Sequence, residues 1–346
     1  MRKLLGEFHS DLSYYEYPNG EHWFGDQSVD WKPLFDFFKW HSLAVDSAVN
    51  TIDFITSNPG ISSRFHWASV AQQLHPLQFS RMQLKRDKNA GTITGTTENI
   101  QLLKLEMKDF SKGAPVNINL DGSQIFYQVN DNSSDLFLLK DNNKWTAIAK
   151  PGFSQKGPHR YGTFKDAFNN RMVFVYGTIG TKEENEWSFN KARYDAETWY
   201  YRGNGAIDIV ADKEFSPEKY KNRGVILFGN KTTNSAWKTI LNDCPIQVER
   251  NKITAGNKTW QGDDLGTYFV WPLHNSNIAS VAVIGGTGMK GMQAANANQY
   301  FAGASGFPDF MIFRLNMLTS GTSEIKMAGF FDNNWKLSEA DCVQIN

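Results

Sequence analysis

The chain has 346 residues, 40% hydrophobic and 21% charged, ordinary values for a globular protein able to bury sizeable cores. Its 36 Lys and Arg balance 36 Asp and Glu with no long run of either sign, which argues against a nucleic-acid protein and its basic footprint. No apolar stretch reaches the ~20 residues that span a bilayer, and residues 1–10 are too poor in apolar side chains for a signal peptide.

Three textures follow one another. Residues 1–47 read as a strand at 12–17, a turn at Pro18-Asn19-Gly20, and a helix over 30–44 capped by Asp30, with Pro33 tolerated in its first turn. Trp31, Leu34, Phe35 and Phe38 recur at helical spacing and give that helix one strongly apolar face. A strand and a helix cannot close a core of their own, so this piece must lean on something else.

Residues 48–150 read as all β. Met82 and Leu84 alternate with Arg81, Gln83 and Lys85; Val116, Ile118 and Leu120 alternate with Asn117, Asn119 and Asp121. Further strands are expected at 53–56, 67–70, 92–96, 103–107, 125–127, 137–140 and 145–149. Asp121-Gly122 and Asn142-Asn143 supply turns. Short strands at this spacing predict a β-sandwich of immunoglobulin-like size. Pro151, Gly152, Gly157 and Pro158 then mark residues 150–161 as a linker.

Residues 151–346 alternate strands with helices. Strands are predicted at 172–176, 207–210, 225–228, 268–271, 280–284, 310–315 and 326–331, and helices at 183–202, 234–242 and 289–301. Such alternation, with nearly continuous apolar strands, predicts a mostly parallel sheet covered on both faces, flavodoxin-like or Rossmann-like. The fold class expected is therefore α/β plus all-β.

The string Tyr14-Tyr15-Glu16-Tyr17-Pro18-Asn19-Gly20-Glu21-His22-Trp23-Phe24 resembles the end of an α/β-hydrolase, where the last central strand delivers a loop bearing the catalytic histidine and a final helix packs back. The whole order, a hydrolase tail, a β-sandwich and then an α/β domain, is similar to the carboxyl-terminal half of prolyl-oligopeptidase-like serine peptidases and esterases. Gly157-Pro158, Lys165-Asp166-Ala167-Phe168 and Phe174-Val175-Tyr176-Gly177-Thr178 add weaker likeness.

The resemblance implies that His22 is a general base and that residues 1–47 are an α/β-hydrolase remnant. It also implies a peptide, ester or glycan-derived substrate for the parent protein, and a periplasmic or secreted location if that parent is exported. No Gly-x-Ser-x-Gly elbow occurs anywhere in the sequence. In this fold the serine and the acid precede the histidine, so both would belong to a missing amino-terminal portion, and the chain alone is expected to be inactive.

Gly286-Thr287-Gly288-Met289-Lys290-Gly291 matches the dinucleotide fingerprint between a predicted strand and helix. It lies late in its domain, and the next acid, Asp309, would begin the following strand instead of ending it, so a tight turn is the favoured reading. Gly177, Thr178, Asn230, Asn234, Gly286 and Thr287 all fall at carboxyl ends of predicted parallel strands, where open α/β sheets hold ligands, and together form a candidate crevice.

His66, His75, His159 and His274 lack second ligands at metal spacing, and neither a metal nor a cofactor is expected. Cys244 and Cys342 are too few for a disulfide framework and leave the compartment open. Two other functions compete with the truncated hydrolase: a non-catalytic glycan-, peptide- or partner-binding protein, and a nucleotide-binding enzyme using Gly286 to Gly291.

Overall fold

The computed structural model describes every residue except Met1, Ser10, Tyr15, Tyr17, 21–30, 131–134, Ala304 and 345–346. The chain divides into two units, Met1–Asn50 and Thr51–Asn346, and each is described by itself.

In the first unit, α1 (Arg2–Phe8) and α2 (Trp31–Trp40) are the two α-helices among the described residues. None of the described residues in this unit is buried. Leu34, Phe35 and Phe38 on α2 are 40%, 65% and 59% exposed. The strand expected at 12–17 is not formed at its described positions, and the helix ends at Trp40, short of 44. A single extended segment with no ladder partner has nothing to satisfy its N–H and C=O groups. His41 follows α2, stacked on Phe37 with ring centroids 3.9 Å apart and paired with Asp11 at 2.7 Å.

The second unit begins with ten strands: β1 (Thr51–Thr56), β2 (Arg64–Phe65), β3 (Ala68–Gln73), β4 (Ser80–Asp87), β5 (Thr92–Glu98), β6 (Ile100–Glu106), β7 (Pro115–Leu120), β8 (Ser123–Gln128), β9 (Asp135–Asp141) and β10 (Lys144–Ile148). They build two five-stranded sheets, ordered β1-β4-β5-β7-β8 and β10-β9-β6-β3-β2. Only β5 and β7 pair in parallel. Asp121 and Gly122, at φ 49° and 81°, turn β7 into β8 with Leu120 opposite Ser123, as a two-residue hairpin requires. Asn142 and Asn143, at φ 47° and 61°, do the same between β9 and β10.

Alternation along β4 and β7 buries Met82, Leu84, Val116, Ile118 and Leu120 on one face and leaves the other to solvent. The Asp121 carboxylate ties the two sheets together. It accepts from Thr97 Oγ1 at 2.6 Å on β5, Lys140 Nζ at 2.9 Å on β9 and Trp145 Nε1 at 2.9 Å on β10.

Next come β11 (Val173–Tyr176), α3 (Lys182–Gly203), β12 (Asp208–Ala211), β13 (Val225–Phe228) and α4 (Trp237–Ile240). A three-stranded meander follows, β14 (Ile246–Glu249), β15 (Lys252–Ala255) and β16 (Lys258–Gln261), which the periodicity did not announce. The chain finishes with β17 (Leu265–Pro272), β18 (Ser280–Gly286), α5 (Met289–Ala294), β19 (Phe310–Arg314), α6 (Met317–Ser320), β20 (Ile325–Phe331) and β21 (Leu337–Gln344).

One eight-stranded sheet runs β12-β11-β13-β18-β17-β19-β20-β21. Its first four strands are mutually parallel and the rest are antiparallel. The expectation of a mostly parallel sheet is corrected here: the sheet is mixed. The cause lies in the connections, because β17 returns to β18 through the short loop 273–279, which joins antiparallel neighbours, whereas parallel ones need a crossover. All residues of β17 and β18 are buried at the centre. Helix α3 starts on a capping box, Thr181 Oγ1 accepting from Glu184 N while Glu184 Oε2 accepts from Thr181 N at 2.8 Å.

The segment read as a linker, 150–161, is packed instead of tethering. Lys156, Arg160 and Tyr161 are 2%, 3% and 3% exposed. Gln72 Nε2 donates to Lys156 O at 2.8 Å and Gln73 N to Tyr161 Oη at 2.7 Å, which explains why every residue of β3 is buried. Cys244 and Cys342 are both free thiols.

Candidate functional site

His22, the expected general base, lies outside the described residues together with Glu21, Trp23 and Phe24. The turn that precedes it is formed, with Asn19 at φ 60°.

The six strand-end residues are brought together. Gly177 and Thr178 follow β11, Asn230 and Asn234 follow β13, and Gly286 ends β18 just before Thr287. Asn234 Nδ2 donates to both Val175 O and Phe228 O at 3.0 Å, bridging β11 to β13. Asn230 Nδ2 donates to Gly286 O at 2.7 Å, bridging β13 to β18. Thr287 Oγ1 accepts from Leu265 N at 3.2 Å on β17. Gly177 N donates to Ser188 Oγ at 2.8 Å on α3, and Thr178 Oγ1 donates to Asp212 Oδ1 at 2.6 Å just past β12. A Cβ on Gly177 would stand 2.3 Å from Thr233 O, so only glycine permits that approach. Asn230, Asn234 and Thr287 have no exposed surface, and their side-chain polar groups are spent stitching the strand ends to each other.

The Gly-x-Gly-x-x-Gly loop is used for backbone packing. Thr287 N donates to Leu265 O at 2.9 Å and Gly291 N to Asp263 O at 3.0 Å. A Cβ on Gly291 would lie 2.1 Å from Leu265 O. The glycines therefore let the six-residue α5 rest against β17.

Sequence reading missed two buried ionic clusters. In the first, Lys156 Nζ meets Asp309 Oδ2 at 2.5 Å with both side chains 1% exposed, and also donates to Phe331 O at 2.7 Å. Phe331 N donates to the same carboxylate at 3.0 Å. Burial pushes the Asp309 carboxyl above its ordinary range, against the pull of Lys156. Nearby, Ser280 Oγ donates to Asp166 Oδ2 at 2.6 Å, and burial lifts the Asp166 carboxyl to about 6. In the second cluster, Lys191 Nζ on α3 pairs with Asp195 Oδ1 at 2.7 Å and Tyr300 Oη at 2.8 Å, and Tyr300 Oη donates to Asp195 Oδ2. Burial lowers the Lys191 ammonium and raises the Asp195 and Tyr300 groups. All three side chains satisfy one another, so the triad fastens α3 to the 297–300 turn. The only available hint was an i, i+4 Lys–Asp spacing, which surface helices share.

Among the described residues no group of three His, Cys, Asp or Glu side chains is placed to hold a metal ion. None of the described helices is long and apolar enough to cross a membrane.

Against known proteins, the chain is 24% identical over 360 aligned positions to a protein of Arthroderma benhamiae, an alignment covering 99% of this chain. That protein is named an uncharacterized secreted protein. The chain spans 37% of its length. No family model matches the chain.

Proposed function

We propose that this chain is the carboxyl-terminal part of a serine hydrolase, a peptidase or carboxylic-ester hydrolase of prolyl-oligopeptidase-like kind, in which His22 acts as general base. The observation that carries the reading is the first unit: none of the described residues of Met1–Asn50 is buried, while α2 exposes Leu34, Phe35 and Phe38. An amphipathic helix of this kind is stable when a sheet covers its apolar stripe. A layer supplied by a longer protein meets that need, and this chain spans 37% of the length of its relative. Its printed name supports an exported parent.

The chemistry assigned to His22 is what an imidazole supplies as a proton acceptor and donor. It takes the proton from a serine hydroxyl as that oxygen attacks the acyl carbon, then returns it to the departing amine or alcohol.

A fluorophosphonate probe tests the proposal. The 346-residue chain is expected to stay unlabelled, and a longer reading frame that supplies a serine elbow is expected to label. Labelling of the longer product should disappear in its His22→Ala variant. A longer product that remains unreactive, or that labels equally without His22, overturns the assignment and leaves a non-catalytic binding protein as the better reading.

A further inference from the structure

Strand β8 (Ser123–Gln128) ends its sheet, laddered to β7 alone. The two-residue turn Asp121-Gly122 makes Leu120 and Ser123 a hydrogen-bonded pair, and such pairs alternate along an antiparallel ladder. Ile125 and Tyr127 therefore aim their N–H and C=O groups at β7, and Val129 N, donating to Ala114 O at 3.1 Å, continues the series. Gln124, Phe126 and Gln128 aim theirs the other way, and among the described residues no group bonds to them. The opposite sheet reaches β8 beside the turn, where Trp145 N donates to Ser123 Oγ at 3.2 Å.

An open edge pairs with any strand that meets it, and proteins ordinarily guard it with charge or proline. Every other edge strand of this chain is guarded. Asp53 lies on β1, Arg64 on β2, Lys144 on β10, Asp208 on β12 and Glu339 on β21, while Glu249 and Lys258 lie on the two edges of the meander. Strand β8 carries no charge and no proline, and it presents Phe126 at 80% exposure. An unguarded edge in a chain that guards all its others marks a pairing surface.

The strand's own sequence supplies the partner. Gln124-Ile125-Phe126-Tyr127-Gln128 reads Gln-x-Phe-x-Gln in either direction. Two copies laid antiparallel about a two-fold axis at Phe126 match throughout: Phe126 meets its own counterpart, Gln124 meets the partner's Gln128, and Ile125 meets the partner's Tyr127. The three outward residues then exchange about six backbone hydrogen bonds, two for each hydrogen-bonded pair. Amide meets amide and aromatic meets β-branched, pairings that stabilise neighbouring strands. A slip of two residues sets Phe126 against a glutamine and moves one outward residue past the end of the partner strand.

We propose that two copies of this chain associate through antiparallel β8 strands, joining their five-stranded sheets into one. A six-residue strand buries less than a standard interface, so the dissociation constant is on the order of 10 μM. The pairing does not rest on the hydrolase reading, and an unreactive serine probe leaves it standing.

Sedimentation velocity of the 346-residue chain from about 2 to about 200 μM should show monomer passing to dimer and no larger species, because a two-fold contact closes on itself. Phe126→Lys should weaken association at least about tenfold and leave the melting temperature of dilute protein unchanged. Phe38→Lys, on the exposed stripe of α2, should leave association unchanged. Cysteines fix the register in Cys342→Ser protein, whose remaining native thiol, Cys244, is buried. There Phe126→Cys should form a disulfide-linked dimer with diamide, since hydrogen-bonded partners sit about 5.5 Å apart at Cα. Gln124→Cys alone should not, its counterpart lying about 13 Å further along, whereas Gln124→Cys/Gln128→Cys should. A chain still monomeric at the highest concentration overturns the proposal, as does a dimer that Phe126→Lys leaves intact or that Phe38→Lys dissolves. Cross-linking of Gln124→Cys alone as readily as Phe126→Cys overturns it too.

Discussion

Replacing Lys156 by Met tests how the second unit is held together. The side chain keeps its approximate length, but Asp309 loses its counter-ion and retains only the Phe331 N–H, while Phe331 O loses a donor. Both partners are 1% exposed, so water cannot take the ammonium's place. Removing one member of a buried ion pair costs about 3–5 kcal/mol. For a chain of this size each kcal/mol lowers the melting temperature by roughly 2–4 °C, giving a fall on the order of 10 °C.

The loss should depend on pH. Burial already raises the Asp309 carboxyl, and without Lys156 the folded protein gains more by keeping it protonated. A carboxyl raised in the folded state destabilises as pH climbs above its unfolded value, so Lys156→Met should be harmed more at pH 8 than at pH 5. Urea unfolding at both values measures this, with Lys156→Met/Asp309→Asn as the partner variant. The double variant should recover much of the loss, since no uncompensated charge remains. A single variant within about 0.5 kcal/mol of the parent at pH 8, or a double variant no better than the single, would refute the reasoning.

Asp166 carries a second pH signature: its carboxyl is raised by burial from 3.8 to about 6, so the folded state holds a proton between those values that the unfolded chain has released. Stability should therefore fall from pH 4 to pH 6 by on the order of 2 kcal/mol, and Asp166→Asn should flatten that slope in a pH series of melts. Gly291→Ala places a methyl 2.1 Å from Leu265 O and should cost at least about 1–3 kcal/mol by driving α5 off β17, read as a drop in urea midpoint at unchanged slope. Tyr300→Phe removes one of the donors to Asp195 and should destabilise by about 1–3 kcal/mol, whereas Tyr194→Phe, exposed on the same helix, should be neutral in the same melts.

Much of the architecture was legible because alternation and turn chemistry are local. Strand β13 falls on the predicted residues, α3 within one residue at each end, and Asp121-Gly122 forms the hairpin its side chains demanded. What escaped was set by distant partners. The Pro- and Gly-rich stretch around Lys156 and Arg160 looks like a tether on composition, and only β3 on one side and β20 on the other turn it into an interior layer. Residues 246–261 carry no predicted element, because their four-residue strands alternate too briefly to stand out. The six strand-end positions were found by topology. Their closed hydrogen bonding was not, since it depends on which backbone carbonyl each Asn amide meets.

The bonds between opposite ends of the second unit bear on how it is made. Asn333 Nδ2 donates to Gln73 O at 2.9 Å, and His75 meets Asp341 at 3.0 Å, so strands synthesised early are clasped by a turn and a strand that follow them by 260 residues or more. Closing such long loops is entropically slow. The early sheets must wait, partly dressed, until the chain has run on through β21, and a chain stopped before β20 would leave Gln73 O without its Asn333 donor.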